Sequence, residues 1–121
     1  VVGAHAAAEE PYPSPRQRAA DINDFVRDRD VTAMIAAIGG WNANATLRWI
    51  DWDAWAENPT AIVGYSDITA LLLSAFSMTG MVTLHGPTVM PELAELPAPL
   101  SETTSSFLDA LNPVAPELHL R

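Results

Sequence analysis

Apolar positions along this chain alternate between a helical and a strand-like pattern. Ala19, Ile22, Phe25 and Val26 recur at helical spacing. Ser14-Pro15 precedes them, with Ser14 suited to an N-cap and Pro15 to the first helical position, where a missing N–H costs nothing. Arg16, Arg18, Asp24, Arg27 and Asp28 are then expected on the wet face. From Val31 to Ile38 the apolar run is continuous and ends at Gly39-Gly40, the pattern of a strand buried on both faces of a parallel sheet. Its alanines also fit a buried helix; the glycine pair favours the strand. Leu47, Trp49, Ile50, Trp52 and Trp55 predict one or two short helices over 44–57, with Asp51 as a cap between them and Asn58-Pro59 as the stop.

Ala61-Ile62-Val63-Gly64 reads as a short strand. The clearest helix runs from Asp67 to Met78, where Ile68, Leu71, Leu72, Ala75 and Phe76 form one stripe and Gly80 marks the end. Full burial of a large side chain contributes roughly 1.5–3 kcal/mol, so this helix is expected to dock firmly. Met81–Leu84 is a third strand candidate. Residues 86–100 carry Pro87, Pro91, Pro97 and Pro99 and read as a long loop, and Ser105–Leu111 as a last helix before Pro113 and Pro116. The order helix, strand, helix, strand, helix, strand implies βαβ crossovers. The expected fold is α/β, a Rossmann- or flavodoxin-like parallel sheet with flanking helices. Sites in such sheets lie at the carboxyl ends of strands, which here are Gly39-Gly40 and Gly64-Tyr65-Ser66-Asp67.

Composition narrows the classes. A length of 121 residues suits one domain, and 49% hydrophobic residues suffice for a core. A net charge of -9 argues against nucleic-acid polymers and anionic membranes, which need clustered Lys and Arg. The chain has no Cys, which removes disulfides, thiolate metal sites and a Cys nucleophile. No run approaches the ~18 apolar residues of a membrane span. The first residue is Val, without a basic-then-apolar leader, and the chain is expected to be a piece of something longer.

The chemistry centres on Ser66. A short strand running into a long helix with Ser at the junction has the layout of a nucleophile elbow, where unpaired N–H groups at the helix start can stabilise an oxyanion. Gly64 leaves room for the turn, whereas the second glycine of the α/β-hydrolase elbow is replaced by Ile68. Ser-Asp before a helix is equally an ordinary N-cap. Gly39-Gly40 could bring the backbone close to a ligand and offer N–H groups to an anion, or simply turn the chain. Trp49, Trp52 and Trp55 recur every three residues, as in helix packing. Trp41, directly after Gly40, could line a pocket and stack on a base or an apolar side chain.

Taken together, Arg18-Ala-Ala-Asp-Ile-Asn23, Ile38-Gly-Gly-Trp-Asn-Ala-Asn44, Ile50-Asp51, Asn58-Pro59, Val63-Gly-Tyr-Ser-Asp-Ile-Thr-Ala-Leu71 and His85-Gly-Pro87 resemble the LD-carboxypeptidase family of serine peptidases over about residues 16–110. That family also includes the microcin C self-immunity peptidases. The resemblance implies hydrolysis of an amide bond next to a carboxylate-bearing residue, without metal or cofactor, through an acyl-enzyme on Ser66. It places oxyanion-hole N–H groups on Asp67 and Gly40, with Gly39, Trp41 and Tyr65 beside the substrate. The Gly-Gly-x-Asn-x-Asn form looks more like the microcin immunity branch, which cleaves aminoacyl-nucleotide amides or related peptides, than the murein tetrapeptide branch. The family's Lys after Asn-Pro is Thr60 here, read as a surface change. By the same resemblance the full-length protein is expected to be a cytoplasmic homodimer, and residues 1–121 an N-terminal α/β domain incomplete at its start.

A Ser nucleophile needs a base. The family takes a Glu and a His from a C-terminal domain, which is expected to be absent from this chain. His85, at the end of a strand, is in the family not that base; His5 and His119 receive no role. A non-catalytic Rossmann-like binding or interaction module remains the alternative reading, and a nucleotide-binding domain a weaker one. On the peptidase reading the isolated chain is expected to be inactive. Assaying it against an L,D-peptide checks this, and Ser66-dependent hydrolysis would refute it.

Overall fold

The computed structural model describes residues 13–112. Helix α1 spans Pro15–Arg27 and starts where Ser14-Pro15 predicts. Ser14 Oγ accepts from the Gln17 N–H at 3.3 Å, and Gln17 Oε1 accepts from the Ser14 N–H at 2.8 Å. This capping box satisfies amides that the first turn leaves unpaired. Strand β1 (Ala33–Ile35) is followed by two 3-10 turns, Ala43–Ala45 and Leu47–Trp49. Helix α2 (Trp52–Glu57) follows, capped by Asp51, whose side chain accepts from the Ala54 N–H.

Strand β2 is Ala61–Gly64, and a 3-10 turn at Ser66–Ile68 leads into α3, Thr69–Thr79. Strand β3 is Leu84–His85, and α4 is Ser101–Leu111. The three strands form a parallel sheet in the order β1-β2-β3, pairing Met34 with Ile62 and Gly64 with His85. The α/β class and the parallel sheet are as the alternation of patterns predicts. No helix among the described residues is long and apolar enough to cross a membrane.

The core joins α1, α2 and α3 to the face of the sheet that carries Ile62. Ala19, Val26, Ile50, Trp55, Leu71, Leu72 and Ala75 are buried there. Trp55 is fully buried, its Nε1–H donates to the Thr60 carbonyl at 2.9 Å, and its ring stacks on Trp52 with centroids 5.7 Å apart. Thr60 is thereby a buried position and not the surface change expected of it.

Other expectations shift. β1 occupies only the middle of the 31–38 run, and Ala33 and Ile35 are exposed, so it is not a strand buried on both faces. Among the described residues it lies at the sheet edge, with β2 as its strand neighbour and helices packed on one face. In α3, Leu71, Leu72 and Ala75 face the core, while Phe76 is exposed because the helix presents only a narrow stripe to α2 and the sheet. The third strand falls later than Met81–Leu84, since Met81 packs against the core. α4 begins a turn before Ser105, in a polar stretch without apolar periodicity, and the loop at 86–100 contains a π-helical turn over Val89–Leu93.

Arg16, Asp24 and Arg27 on α1 and Asp28 at its C-cap are exposed as expected, and the helix also carries polar ties to the next segment. Arg27 pairs with Asp51, Asn23 Oδ1 accepts from the Asp51 N–H, and Asn23 Nδ2 donates to the Trp49 carbonyl. These bonds tie the segment before α2 to α1. Replacing Trp55 by Ala is expected to cost about 3–5 kcal/mol, the range for emptying a large aromatic site. Denaturant unfolding measures it; a loss under about 1 kcal/mol would contradict the packing role.

Candidate active site at the β2–α3 turn

The chain leaves β2 at Gly64 with Tyr65 extended (φ -152°, ψ -171°), and then Ser66 takes φ 60°. A left-handed backbone costs a residue with a Cβ roughly 1–2 kcal/mol, and such states cluster at functional sites. Glycine is required beside the turn. A Cβ on Gly64 would lie 2.8 Å from Ile68 Cγ2 and 3.1 Å from the Ala36 Cβ. Ile68, standing where α/β-hydrolase elbows have their second glycine, fills the space that Gly64 leaves. The N-cap alternative for Ser66 does not describe this turn. Tyr65 occupies the cap position of the 3-10 turn, Ile68 that of α3, and neither end has a side-chain cap bond.

The Gly39-Gly40 segment lies directly against Ser66. A Cβ on Gly39 would come within 3.0 Å of the Ser66 Cβ, 3.1 Å of its Oγ and 3.9 Å of the Asp67 nitrogen. A Cβ on Gly40 would sit 3.1 Å from Asp67 Oδ2. Neither glycine has positive φ. Close approach, and not the need to turn, is therefore what favours glycine here, most strongly at Gly39, where the neighbour is Ser66 Cβ. Asp67 Oδ2 also accepts from the N–H groups of Asn42 (2.9 Å) and Ala43 (2.8 Å). From α1, Arg18 Nη1 donates to Asn42 Oδ1 at 2.6 Å and Nη2 to the Asn42 carbonyl at 3.3 Å. Trp41 projects from this loop with 90% of its surface exposed.

Tyr65 is anchored from the other side. Its hydroxyl donates to Glu92 Oε1 at 2.7 Å, and Glu92 Oε2 accepts from the N–H and the hydroxyl of buried Thr88 at 2.9 and 3.0 Å. The turn that carries Glu92 is fixed by Val89 and Met90, whose N–H groups donate to the Ala36 and Ala37 carbonyls. The His85 ring tilts against the Tyr65 ring, with centroids 6.2 Å apart, and no hydrogen bond joins it to Ser66 among the described residues.

Ser66, Gly39, Gly40, Tyr65 and Asp67 are thus brought together from two distant stretches, with Trp41 at the rim. The sequence reading missed Glu92, Arg18 and the side-chain role of Asp67. Glu92 lies in a proline-rich loop 27 residues from Tyr65, and nothing local links the two. Among the described residues no group of three or more His, Asp or Glu side chains could hold a metal ion.

The bond from the Tyr65 hydroxyl, then that from the Thr88 N–H, holds the Glu92 carboxyl below the usual glutamate range, and the same carboxylate raises the Tyr65 phenol. A depressed carboxyl contributes stability above its unfolded-state value and loses it as pH falls through the folded-state value. A raised phenol contributes below its ordinary value and loses it as pH rises through the raised one. The stability gap between the parent and Glu92→Gln is therefore expected to shrink on acidification below the ordinary glutamate range. Thermal melts from neutral to acid pH test this; a gap independent of pH would refute it.

A family model described as the LD-carboxypeptidase N-terminal domain matches residues 1–86. The microcin C7 self-immunity protein MccF of Escherichia coli is 40% identical over 96 residues, which is 79% of this chain and 28% of that protein. The murein tetrapeptide carboxypeptidase of Pseudomonas aeruginosa is 36% identical over 72 residues, 59% of this chain and 23% of that protein. A solved structure of MccF in complex with aspartyl sulfamoyl adenosine superposes with a TM-score of 0.85 at 34% identity, covering 92% of this chain and 34% of that one. The chain spans less than a third of the length of the curated relatives it matches. With the family model covering most of its length and the fold matching across nearly all described elements, the chain belongs to the LD-carboxypeptidase family.

Proposed function

We propose that residues 1–121 are the N-terminal, nucleophile-bearing α/β domain of a serine-type carboxypeptidase that hydrolyses an amide bond next to a carboxylate-bearing residue. The observation that carries this reading is Ser66 at φ 60°, with Gly39 so close that a Cβ there would touch Oγ. In an active-site mutant of MccF, one of the replaced residues is a serine.

Ser66 Oγ attacks the substrate carbonyl carbon, a base takes the hydroxyl proton, and the carbonyl oxygen becomes an oxyanion held by the N–H groups of Asp67 and Gly40. Collapse breaks the C–N bond and releases the amine with the proton returned by the base. Water then attacks the acyl-enzyme, and the acid leaves as Ser66 recovers its proton. The base comes from outside the described residues. His85 is engaged with Tyr65, and the relatives extend well beyond the matched segment. No cofactor takes part.

The substrate is a small peptide or an aminoacyl-nucleotide amide, and the second is favoured. MccF has been solved with aspartyl sulfamoyl adenosine and with glutamyl sulfamoyl guanosine, molecules that join a carboxylate-bearing aminoacyl group to a nucleoside. Trp41, exposed beside the oxyanion loop, offers a face on which a base can stack. Gly39, packed against Ser66, and Tyr65, which precedes it, stand beside the substrate on this reading. A cytoplasmic setting and a homodimeric full-length protein rest on the family resemblance.

In the full-length protein, Ser66→Ala is expected to lower kcat/KM by at least ~10³-fold without unfolding the chain. Mass spectrometry of the quenched parent reaction should find the acyl adduct on the peptide containing Ser66. Turnover in Ser66→Ala at the parental rate would reject the proposal.

A further inference from the structure

The two oxyanion donors proposed above come from Gly40 and Asp67, on separate connections of the sheet. Such donors work only if their separation is held to a fraction of an ångström. β1 does not hold Gly40 in place. The last residue of that stretch to donate to β2 is Ala36, through its N–H to the Val63 carbonyl at 3.0 Å. Beyond it the chain passes through Ile38, 57% exposed, and Trp41, 90% exposed, before re-entering the fold at buried Ala43.

What ties that loop directly to the β2–α3 turn is one oxygen atom. Asp67 Oδ2 accepts from the N–H groups of both Asn42 and Ala43, at 2.9 and 2.8 Å, and lies where a Cβ on Gly40 would nearly touch it. An ionised acceptor makes a hydrogen bond roughly twice as strong as a neutral one. Arg18 grips the same loop from α1 through the side chain and carbonyl of Asn42. We infer that the Asp67 carboxylate is a positioning residue for the oxyanion hole. Asp67 offers its own N–H as one donor, and its side chain fixes the loop that offers the other. The distance between the two donors is then set within a single residue and does not depend on the longer path through the sheet. The inference rests on the proposed role of Ser66.

The test uses the full-length protein as parent, Ser66→Ala, Asp67→Ala and Asp67→Asn, with an L,D-linked peptide and an aminoacyl-nucleotide amide as substrates. A displacement of about 1 Å at a reacting centre costs on the order of 10²-fold, so Asp67→Ala should lower kcat about 10- to 100-fold. KM should stay within about threefold, since a group acting only in the transition state leaves ground-state binding alone. Asp67→Asn, which keeps an acceptor oxygen without the charge, should fall between, with at least about a threefold loss in kcat. Amide hydrogen exchange at Asn42 and Ala43 should accelerate in both variants.

A kcat within about twofold of the parent in Asp67→Asn, or unchanged exchange at the two amides, overturns the inference. Should Asp67→Ala fail to fold, Asp67→Asn decides by itself. A parent that turns over neither substrate, or a Ser66→Ala variant as active as the parent, sinks the nucleophile reading, and the exchange measurement still decides whether the carboxylate holds the loop.

Discussion

Ser66 sits in a left-handed backbone state that an L-residue leaves unless its neighbours prevent it. Three features prevent it. β2 delivers the chain at Gly64 with its carbonyl accepting from the Gly86 N–H, so the end of the strand cannot swing. α3 is docked through Leu71, Leu72 and Ala75, which fixes where the turn must finish. Gly39 and Gly64 press on the turn from two sides at distances that a single added carbon would violate. The strain is local, and the groups that sustain it are spread over the sheet, the helix and the loop after β1.

Polar side chains supply the second layer of this arrangement. α1 turns Arg18, Asn23 and Arg27 towards the segment from Asn42 to Asp51, where each finds a carbonyl, an amide or a carboxylate. Asn58 joins the same helix from the end of α2, its Nδ2 donating to the Val26 carbonyl. On the far side, Glu92 holds Tyr65 and is itself held by Thr88. Individually the exposed ones among these bonds, those of Arg18 and Arg27, are worth little. Their effect is geometric, since each removes one direction in which a loop at the carboxyl edge of the sheet could move.

Much of this fold is legible in the sequence because the relevant signals are local. Ser14-Pro15 marks the start of α1, Asp51 caps α2, and Gly80 ends α3 in a left-handed conformation. The short run Ala61–Gly64 is a strand as its pattern predicts. The signals that misled are those whose meaning depends on neighbours. The run 31–38 looks buried on both faces, yet Ile35, in a strand at the edge of the described sheet, and Ile38, beyond that strand, are exposed. Phe76 falls on the right stripe of α3 but beyond the reach of the core, and Thr60 reads as surface although the Trp55 indole closes over it.

The sequence by itself determined which residue types stand at the two strand ends: a glycine pair after β1 and Gly-Tyr-Ser-Asp after β2. Short-range rules of backbone conformation and helix initiation make those stretches turns, and the alternation of strands with helical crossovers makes the sheet parallel. Only the tertiary structure decided that Gly39 lies on Ser66, that the Asp67 carboxylate reaches the amides of Asn42 and Ala43, and that Glu92 holds Tyr65. Those contacts join residues 24 to 27 positions apart. They exist because parallel pairing of β1, β2 and β3 brings the connections after all three strands to one edge, a consequence of the register that no local window of sequence contains.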